Sequence, residues 1–593
     1  MKDALTQLFS DLLAEQHITT IVPQVTRSEN PSHGEYTTNI AMATAKSLKQ
    51  NPLDIARDIK KTLEEWMKSD EKKKVHPIIL AIDHIDVAPP GFINVFLTDE
   101  ALLQCDSCFK PESSRCRIKP ACRQAGPGMI EKTGQKKKKI MVEYAQPNTH
   151  KAFHIGHLRN ITTGESIVRL LEANGNKVIR VNYQGDVGLH IAKCLYGILQ
   201  SSKFRVQSSD KKTLKQKIDM LAQAYVMGNT AYEKDEAAKK EIDSINKKIY
   251  RKEPDIYPLY EKTRNWSLEY FESIYKRLGT HFDRLYFESE VYELGKQLVL
   301  EGMEKGIFEK SDGAIIFPGE KFGLHNRVFI TSEGNPTYEG KDIGLSKLQF
   351  GDYHPERIIH CVSTEQIEYF KVIFEAIARV FSDTRGKEYH LPYGFVQLKS
   401  GKMSSRTGNV VLGEWLLDET KKEIQKILKT GGRAYEKGEN DTIAEIASVA
   451  AVKYAFLKVS TTQKIAFDIK ESINLNGDSG PYLLYTYARC QSVMRKNNVR
   501  HQISNVSHHI LNKEEHDLVR LLFYFPEIIE DAGKHFAPNT LCSYLFNLAQ
   551  AFNLLYAKHP ILGNDLRLML TEKTATTLKE GLRLLGIETV ERM

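Results

Sequence analysis

The first part of the chain, residues 1–103, combines helical and strand-like patterns of hydrophobic positions. Apolar residues recur with helical spacing at the start and again over Ile40–Met67. Two strand-like runs follow, Ile78–Val87 and Phe92–Leu97, and the turn sequence Ala88-Pro89-Pro90-Gly91 separates them. The pattern predicts an α+β N-terminal domain.

Residues 138–412 alternate between short apolar runs and helical stretches. Strands interleaved with helices indicate a parallel sheet with crossover helices, which binds nucleotides at the carboxyl ends of its strands. A charged helical stretch, Leu214–Leu278, predicts a helical insertion at about 205–280. The predicted strands are Lys138–Ala145, Lys177–Tyr183, Arg357–Val362 and Tyr393–Leu398.

Residues 413–593 are almost wholly helical in pattern and predict an all-α C-terminal domain. Residues 104–137 lack apolar periodicity and predict a linker or insertion between the first two domains. A C-x2-C pair begins a cluster of cysteines there and could be half of a zinc knuckle, but we favour an insertion without structural zinc. The cluster is Cys105, Cys108, Cys116 and Cys122.

Composition and charge narrow the class of protein. A chain of 593 residues with 41% hydrophobic residues is expected to form several globular domains. Its formal charge of +8 permits a nucleic-acid partner without requiring one. We expect neither a signal peptide nor a membrane span, and the eight cysteines without a secretion signal favour reduced thiols in the cytoplasm.

Two short motifs carry candidate chemistry. His154-Ile155-Gly156-His157 lies where a strand, the turn Pro147-Asn148 and a helix from Phe153 to Gly175 are predicted, an arrangement that directs unpaired N–H groups at an anion. Such a pair of histidines also arises by chance in about every second chain of this composition. Lys402-Met403-Ser404-Ser405-Arg406 predicts a mobile loop that could close on phosphates, although an ordinary solvated basic turn has the same pattern.

The chain resembles the arginyl-tRNA synthetases, a family of class I aminoacyl-tRNA synthetases whose signatures are written HIGH and KMSKS. The resemblance implies a Rossmann-like parallel-sheet catalytic domain, an N-terminal domain that contacts the tRNA elbow and an α-helical anticodon-binding bundle. It extends in family order over nearly the whole chain, through the segments 142–160, 182–188, 338–344 and 478–489.

The resemblance assigns an arginine pocket. A guanidinium is planar, always charged and offers five donors, so a selective pocket needs carboxylates that accept them. Glu143 and Asp342 match the family's carboxylates, Asn148 and Gln366 match residues that hold the amino and carboxylate end, and Tyr338 would wall the pocket. Without the resemblance, Glu143 could simply pair with a surface lysine.

The same resemblance implies that ATP and Mg²⁺ enter the reaction. His154, His157, Lys402 and Lys151 are the expected catalytic residues, and Gly156, Met403 and Ser404 complete the ATP site. The KMSSR sequence departs from KMSKS, and Lys151 resembles a family lysine thought to compensate. Amino-acid activation in this family depends on the cognate tRNA.

Four residues resemble the family's tRNA contacts. Phe92 and Asn94 match positions that bind a D-loop base, and Tyr485 and Arg489 offer stacking and charge near the start of the helical bundle. Core packing is the alternative for each aromatic ring. The expected partners are tRNA(Arg), L-arginine and ATP, and we expect a monomer. A sister class I synthetase and an inactive tRNA-binding paralogue are the other hypotheses.

Overall fold

The computed structural model describes residues 1–18, 21–103, 137–201, 204, 212–399, 411–430, 436, 438–496 and 510–593. The described residues form two compact units, one within 1–134, 486–529 and 544–579, and the other within 135–485, 530–543 and 580–593. The KMSSR segment, with Lys402, Met403 and Ser404, and the cysteine cluster at 105–122 lie outside the described residues. None of the helices in the described part of the chain is long and apolar enough to cross a membrane.

The first unit contains a four-stranded antiparallel sheet in the order β1-β2-β4-β3. Its strands are β1 (Val25–Arg27), β2 (Tyr36–Thr38), β3 (Ile82–Ala88) and β4 (Phe92–Leu97). Its N-terminal helices are α1 (Lys2–Glu15), α2 (Ile40–Leu48), α3 (Pro52–Lys68), α4 (Asp70–Val75) and α5 (Asp99–Leu103).

Two boundaries predicted for this unit are wrong. The helix predicted over Ile40–Met67 is two helices, because Lys49 adopts a left-handed conformation and Asn51 caps a new helix that begins at Pro52. The strand predicted from Ile78 begins only at Ile82, since Pro77–Ala81 forms a 3-10 turn. In both cases a proline is the first residue of the new element.

The second unit is built on a five-stranded, all-parallel sheet in the order β12-β11-β5-β6-β7. These strands are β5 (Lys139–Glu143), β6 (Lys177–Gln184), β7 (Arg284–Phe287), β11 (Arg357–Ser363) and β12 (Glu388–Tyr393). A three-stranded antiparallel sheet, β8 (Glu309–Ser311), β9 (Ala314–Phe317) and β10 (Arg327–Ile330), was not predicted, and neither was β7.

Helices connect and cover these strands. They are α6 (Ile155–Ala173), α7 (Leu189–Gln200), α8 (Leu214–Lys234), α9 (Glu236–Tyr250), α10 (Tyr257–Arg277), α11 (Glu288–Glu304), α12 (Tyr338–Tyr353), α13 (Ile367–Val380), α14 (Gly413–Thr430), α15 (Glu439–Leu457) and α16 (Ile469–Ser472). α8, α9 and α10 occupy the predicted helical insertion. The C-terminal helices, α17 (Gly480–Lys496), α18 (Lys513–Lys534), α19 (Pro538–Lys558) and α20 (Asp565–Leu584), each contribute to both units.

The central strand β5 is buried on both faces. Ile140 and Val142 pack into the core beneath α6, whereas Met141 packs into a separate cluster with Ile179 on the opposite face. Burial on both sides is the expected environment of a parallel strand. The alternation leaves Glu143 as the last residue of β5, at the carboxyl edge of the sheet.

The strand predicted over Tyr393–Leu398 is wrong, because the chain bends at Gly394. β12 ends at Tyr393, and the next residues form β13 (Val396–Leu398), which pairs with β14 (Ile465–Phe467) instead. A Cβ at Gly394 would lie 2.3 Å from the backbone oxygen of Gln463, so the close approach requires glycine.

Candidate active site

The first turn of α6 is built from the HIGH motif itself. His154 is the N-cap, and its Nδ1 accepts a hydrogen bond from the N–H of Gly156 at 3.1 Å. The Nδ1 of His157 in turn accepts from the N–H of His154 at 3.2 Å, and the two rings stack with centroids 3.8 Å apart. A Cβ at Gly156 would lie 2.8 Å from Cε1 of His154, so glycine leaves room for the folded-back ring.

These hydrogen bonds determine what the imidazoles can donate. Since Nδ1 accepts in each ring, the neutral ring carries its proton on Nε2. Burial lowers the pKa of His154, with a further contribution from Lys151, and burial together with His154 and Lys151 holds the pKa of His157 well below its ordinary value. Both histidines are therefore neutral N–H donors near pH 7 at the positive end of a helix.

The chain that follows the KMSSR segment lies beside this helix start. The N–H of Ile155 donates to the carbonyl of Val411 at 2.9 Å, and the N–H of Gly413 donates to the carbonyl of Phe153 at 3.0 Å. On the other side of the segment, the N–H of Lys399 donates to the carbonyl of Phe467 at 2.9 Å. The structure therefore brings the C-terminal flank of KMSSR to the HIGH motif.

The connection between β5 and α6 has an unusual backbone. Ala145, Gln146 and His150 have φ values of 78°, 50° and 62°, in the left-handed region. Asn160 of α6 holds this backbone by accepting from the N–H of Ala145 at 2.8 Å, and His150 contacts Thr263 of the helical insertion through Nε2 at 2.8 Å. Such strained backbone persists only where surrounding contacts enforce it.

A cavity of about 600 Å³ opens at the carboxyl edge of the parallel sheet. All five residues predicted for the arginine pocket line it, although they come from three separate parts of the chain: Glu143 and Asn148, Tyr338 and Asp342, and Gln366. Tyr338 and Gln366 are exposed, whereas Glu143 is only 3% exposed. A Cβ at Gly185 would lie 2.1 Å from Oδ1 of Asn148, so replacement of Gly185 would displace the side chain of Asn148.

Of the two carboxylates in the cavity wall, Asp342 accepts fewer hydrogen bonds from the protein than Glu143 does. It is partly buried, and the hydroxyl of Tyr369 donates to its Oδ2 at 2.7 Å. Burial, assisted by the charge of Glu143, raises the pKa of Asp342 to about 7, against the hydrogen bond from Tyr369. Its carboxyl group therefore changes charge near neutral pH.

Glu143 is surrounded by donors rather than by a surface lysine. Its oxygens accept from Nε2 of Gln146 at 2.7 Å and from Nε2 of Gln349 at 2.6 Å, and Nδ1 of His360 lies 3.4 Å away. Burial alone would raise the pKa of Glu143, but the charge of His360 and these hydrogen bonds outweigh it and lower the pKa. Glu143 is therefore a fixed negative charge in the cavity wall.

Other residues that shape the site were missed by sequence reasoning. His360, Gln349 and Tyr183 line the cavity, and the hydroxyl of Tyr183 and Oε1 of Gln349 are buried without a hydrogen-bond partner. For His360, the signal in the sequence was its place near the carboxyl end of the predicted strand Arg357–Val362. Among the described residues, no group of three or more His, Cys, Asp or Glu side chains is arranged to hold a metal ion.

The structure places the four predicted tRNA contacts as follows. Phe92, the first residue of β4, is 37% exposed and is not a core residue, whereas Asn94 is buried on the same strand. Tyr485 and Arg489 lie on α17 and are partly buried, and the guanidinium of Arg489 lies 5.0 Å from the ring centroid of Tyr556. Their role in binding stays a prediction. The neighbouring Tyr487 is buried in the core.

Comparisons with known proteins identify related families. Residues 125–469 match the catalytic domain of class I (R) tRNA synthetases, residues 483–593 match the DALR anticodon binding domain, and residues 1–97 match the arginyl-tRNA synthetase N-terminal domain.

Individual relatives agree with these models. An arginine–tRNA ligase of Fusobacterium nucleatum is 30% identical over 99% of both chains, and one of Porphyromonas gingivalis is 33% identical over 77% of this chain and 80% of that protein. Among solved structures, the arginyl-tRNA synthetase of Thermus thermophilus superposes with a TM-score of 0.79 over 100% of both chains at 24% identity.

Proposed function

The chain belongs to the arginyl-tRNA synthetase family and ligates arginine to tRNA, and from this premise we propose which of its residues carry the reaction. The cavity at the carboxyl edge of the parallel sheet binds L-arginine. The observation that supports this assignment is that two carboxylates line one cavity: Glu143, which is buried at the end of β5, and Asp342, which is partly buried on α12.

The guanidinium of arginine lies against Asp342 and Glu143. Three protein donors already occupy much of the carboxylate of Glu143, so Asp342, with the hydroxyl of Tyr369 on Oδ2, is the principal hydrogen-bond acceptor. Asn148 and Gln366, nearer the opening, hold the amino and carboxylate groups, and Tyr338 covers the side chain.

ATP binds at the start of α6. The Nε2–H groups of His154 and His157 donate to its phosphates, Gly156 allows close approach, and Lys151 adds positive charge. Lys402, with Met403 and Ser404, acts from the KMSSR segment. The donors described around the helix start are imidazoles, lysine and backbone N–H groups, which suit phosphate, so Mg²⁺ would arrive on the triphosphate and neutralise charge on the leaving pyrophosphate.

The reaction has two steps. The arginine carboxylate attacks the α-phosphorus of ATP in line and pyrophosphate leaves, so that positioning and charge stabilisation carry the step without a covalent enzyme intermediate. The 2′-hydroxyl of the terminal adenosine of tRNA(Arg) then attacks the adenylate carbonyl, and AMP leaves. His154, His157, Lys402 and Lys151 stabilise the charge that develops in the first step.

The remaining assignments concern the whole chain. We assign tRNA binding to Phe92 and Asn94 in an N-terminal domain, 1–103, and to Tyr485 and Arg489 in an anticodon-binding domain, 413–593. The catalytic domain spans 138–412. The protein acts as a monomer in the cytoplasm, where its described cysteines, all unpaired and buried, stay reduced. The segment 104–137 needs no zinc in this proposal.

Replacement of Asp342 by asparagine tests the pocket. Asparagine keeps the shape of the side chain but removes its charge. The loss of interaction energy should be roughly 2–5 kcal/mol, so kcat/KM for arginine in pyrophosphate exchange should fall about 30-fold or more. The KM for ATP should stay unchanged.

Asp352→Asn is the matched control. Asp352 lies at the far end of the same helix and accepts from Tyr286 at 2.9 Å outside the cavity, so this variant should behave as the wild type. A wild-type kcat/KM for arginine in Asp342→Asn would contradict the assignment of the pocket.

A further inference from the structure

Three charged side chains form a buried row across neighbouring strands beneath the arginine cavity. Glu143 of β5 lies directly across the sheet from His360 of β11, and Glu388 comes from β12 on the other side. Nδ1 of His360 lies 3.4 Å from Oε2 of Glu143, and its Nε2 lies 2.6 Å from Oε2 of Glu388. All three residues line the cavity.

The geometry favours a charged imidazole. Each ring nitrogen of His360 faces a carboxylate oxygen, which can only accept, so a proton on both nitrogens makes both contacts favourable. Burial would lower the pKa of His360, but the charges of Glu143 and Glu388 raise it to about 10. A permanent cation therefore lies in the wall of a pocket that binds a cation.

Neutral hydrogen-bond donors contact the carboxylates at both ends of this row. Glu388 also accepts from the hydroxyl of Ser346 at 3.1 Å, and Glu143 accepts from Gln146 and Gln349. Ser346 and Gln349 both belong to α12, the helix that carries Asp342. The row thus fixes Glu143 of the sheet relative to Asp342 of the helix.

We propose that His360 is a positioning residue for arginine recognition, which acts by holding the carboxylate of Glu143 in one orientation relative to Asp342. The proposal rests on the proposed function of the cavity. A planar guanidinium needs acceptors at fixed places, and a small displacement of one acceptor weakens several hydrogen bonds together. Without the imidazolium, Glu143 and Glu388 would lose the cation that lies between them, and Glu143 would lose its orientation.

A positioning role and a purely electrostatic role of His360 predict opposite changes in the KM for arginine. Removal of the His360 cation makes the cavity more negative, which by itself would strengthen the binding of a guanidinium. Loss of the fixed orientation of Glu143 would weaken it. The direction of the change in KM for arginine therefore separates the two roles.

The test is His360→Gln, assayed by pyrophosphate exchange in the presence of tRNA. We expect KM for arginine to rise about tenfold or more, while kcat and the KM for ATP stay within about twofold. His390→Gln is the matched control, because His390 lies directly across from His360 on β12 but contacts the carbonyl of Val362 at 3.1 Å and no carboxylate. Its constants should equal those of the wild type.

Glu388→Gln is a second variant that keeps an oxygen acceptor for Nε2 while it removes the charge that orients the ring. Its KM for arginine should rise about threefold or more, less than in His360→Gln. An unchanged or lowered KM in His360→Gln overturns the proposal, as does an unchanged KM in Glu388→Gln if His360→Gln does not fold. If Asp342→Asn impairs arginine use and these variants do not, only the inference about His360 fails and the pocket assignment stands.

Discussion

The two carboxylates of the proposed arginine cavity have different environments, although we propose that both bind the same guanidinium. Glu143 has donors from Gln146, Gln349 and His360, which lower its pKa, whereas Asp342 has the hydroxyl of Tyr369 on Oδ2 and a pKa of about 7. Environment rather than residue type thus makes one carboxylate permanently charged and the other titratable near neutrality.

The titration of Asp342 predicts a pH dependence for arginine use. An acid whose pKa is raised to about 7 is protonated below that pH, and a protonated carboxyl binds a guanidinium poorly. The kcat/KM for arginine, which reports the free enzyme, should therefore rise by up to about tenfold per pH unit below pH 7 and level off near pH 8. Asp342→Asn should show a flat profile over this range, and a flat wild-type profile between pH 5.5 and 8 would contradict the prediction.

Among the secondary-structure elements, α6 contacts the residues that flank the KMSSR segment as well as carrying the HIGH motif. Arg159 of α6 is buried, and its guanidinium donates to the carbonyls of Phe456 and Thr461, the latter at 3.1 Å. Thr461 leads into β14, which pairs with β13 immediately before the KMSSR segment. One side chain therefore links the helix that begins with HIGH to the strands that precede the KMSSR segment.

Replacement of Arg159 by lysine tests this link. Lysine keeps the charge but not the fork that reaches two carbonyls, so kcat for adenylate formation should fall about tenfold while KM for arginine stays within about twofold. Arg169→Lys is the control, because Arg169 also donates to backbone carbonyls, those of Arg583 and Gly279, but from the far end of α6. Equal losses in both variants would indicate a general effect on α6 rather than on the loop.

Across the whole chain, the expected tRNA contacts lie far from the HIGH motif in sequence. Phe92 belongs to the antiparallel sheet of the first unit, and α17 carries Tyr485 and Arg489. A KMSSR segment has one lysine fewer than KMSKS with which to neutralise pyrophosphate. We expect binding energy from the tRNA to supply what the missing lysine does not.

We accordingly predict that arginine activation depends on tRNA. Arginine-dependent pyrophosphate exchange should be near background in a nuclease-treated, tRNA-free preparation and rise strongly when tRNA(Arg) is added. Periodate-oxidised tRNA(Arg), which binds but cannot accept arginine, should restore exchange as well, because the effect comes from binding. Full exchange without tRNA would refute the prediction.

Local sequence was sufficient for features that depend on neighbouring residues. The buried strand β5, the helix between the HIGH motif and Gly175, and the helical insertion follow from hydrophobic spacing and from cap and stop residues. The family resemblance then selected five residues that line one cavity. Breaks such as the bend at Gly394 were missed, because an approach to Gln463 leaves no trace in local periodicity.

Contacts in space account for the rest of the site. Glu143 and Gln349 are 206 positions apart in sequence yet lie within hydrogen-bonding distance, and the row through His360 to Glu388 forms because β5, β11 and β12 are neighbours in the parallel sheet. Hydrogen bonds and charge interactions act over a few ångströms, so the low pKa of Glu143, the raised pKa of Asp342 and the charge of His360 arise from the packing of these strands against α12.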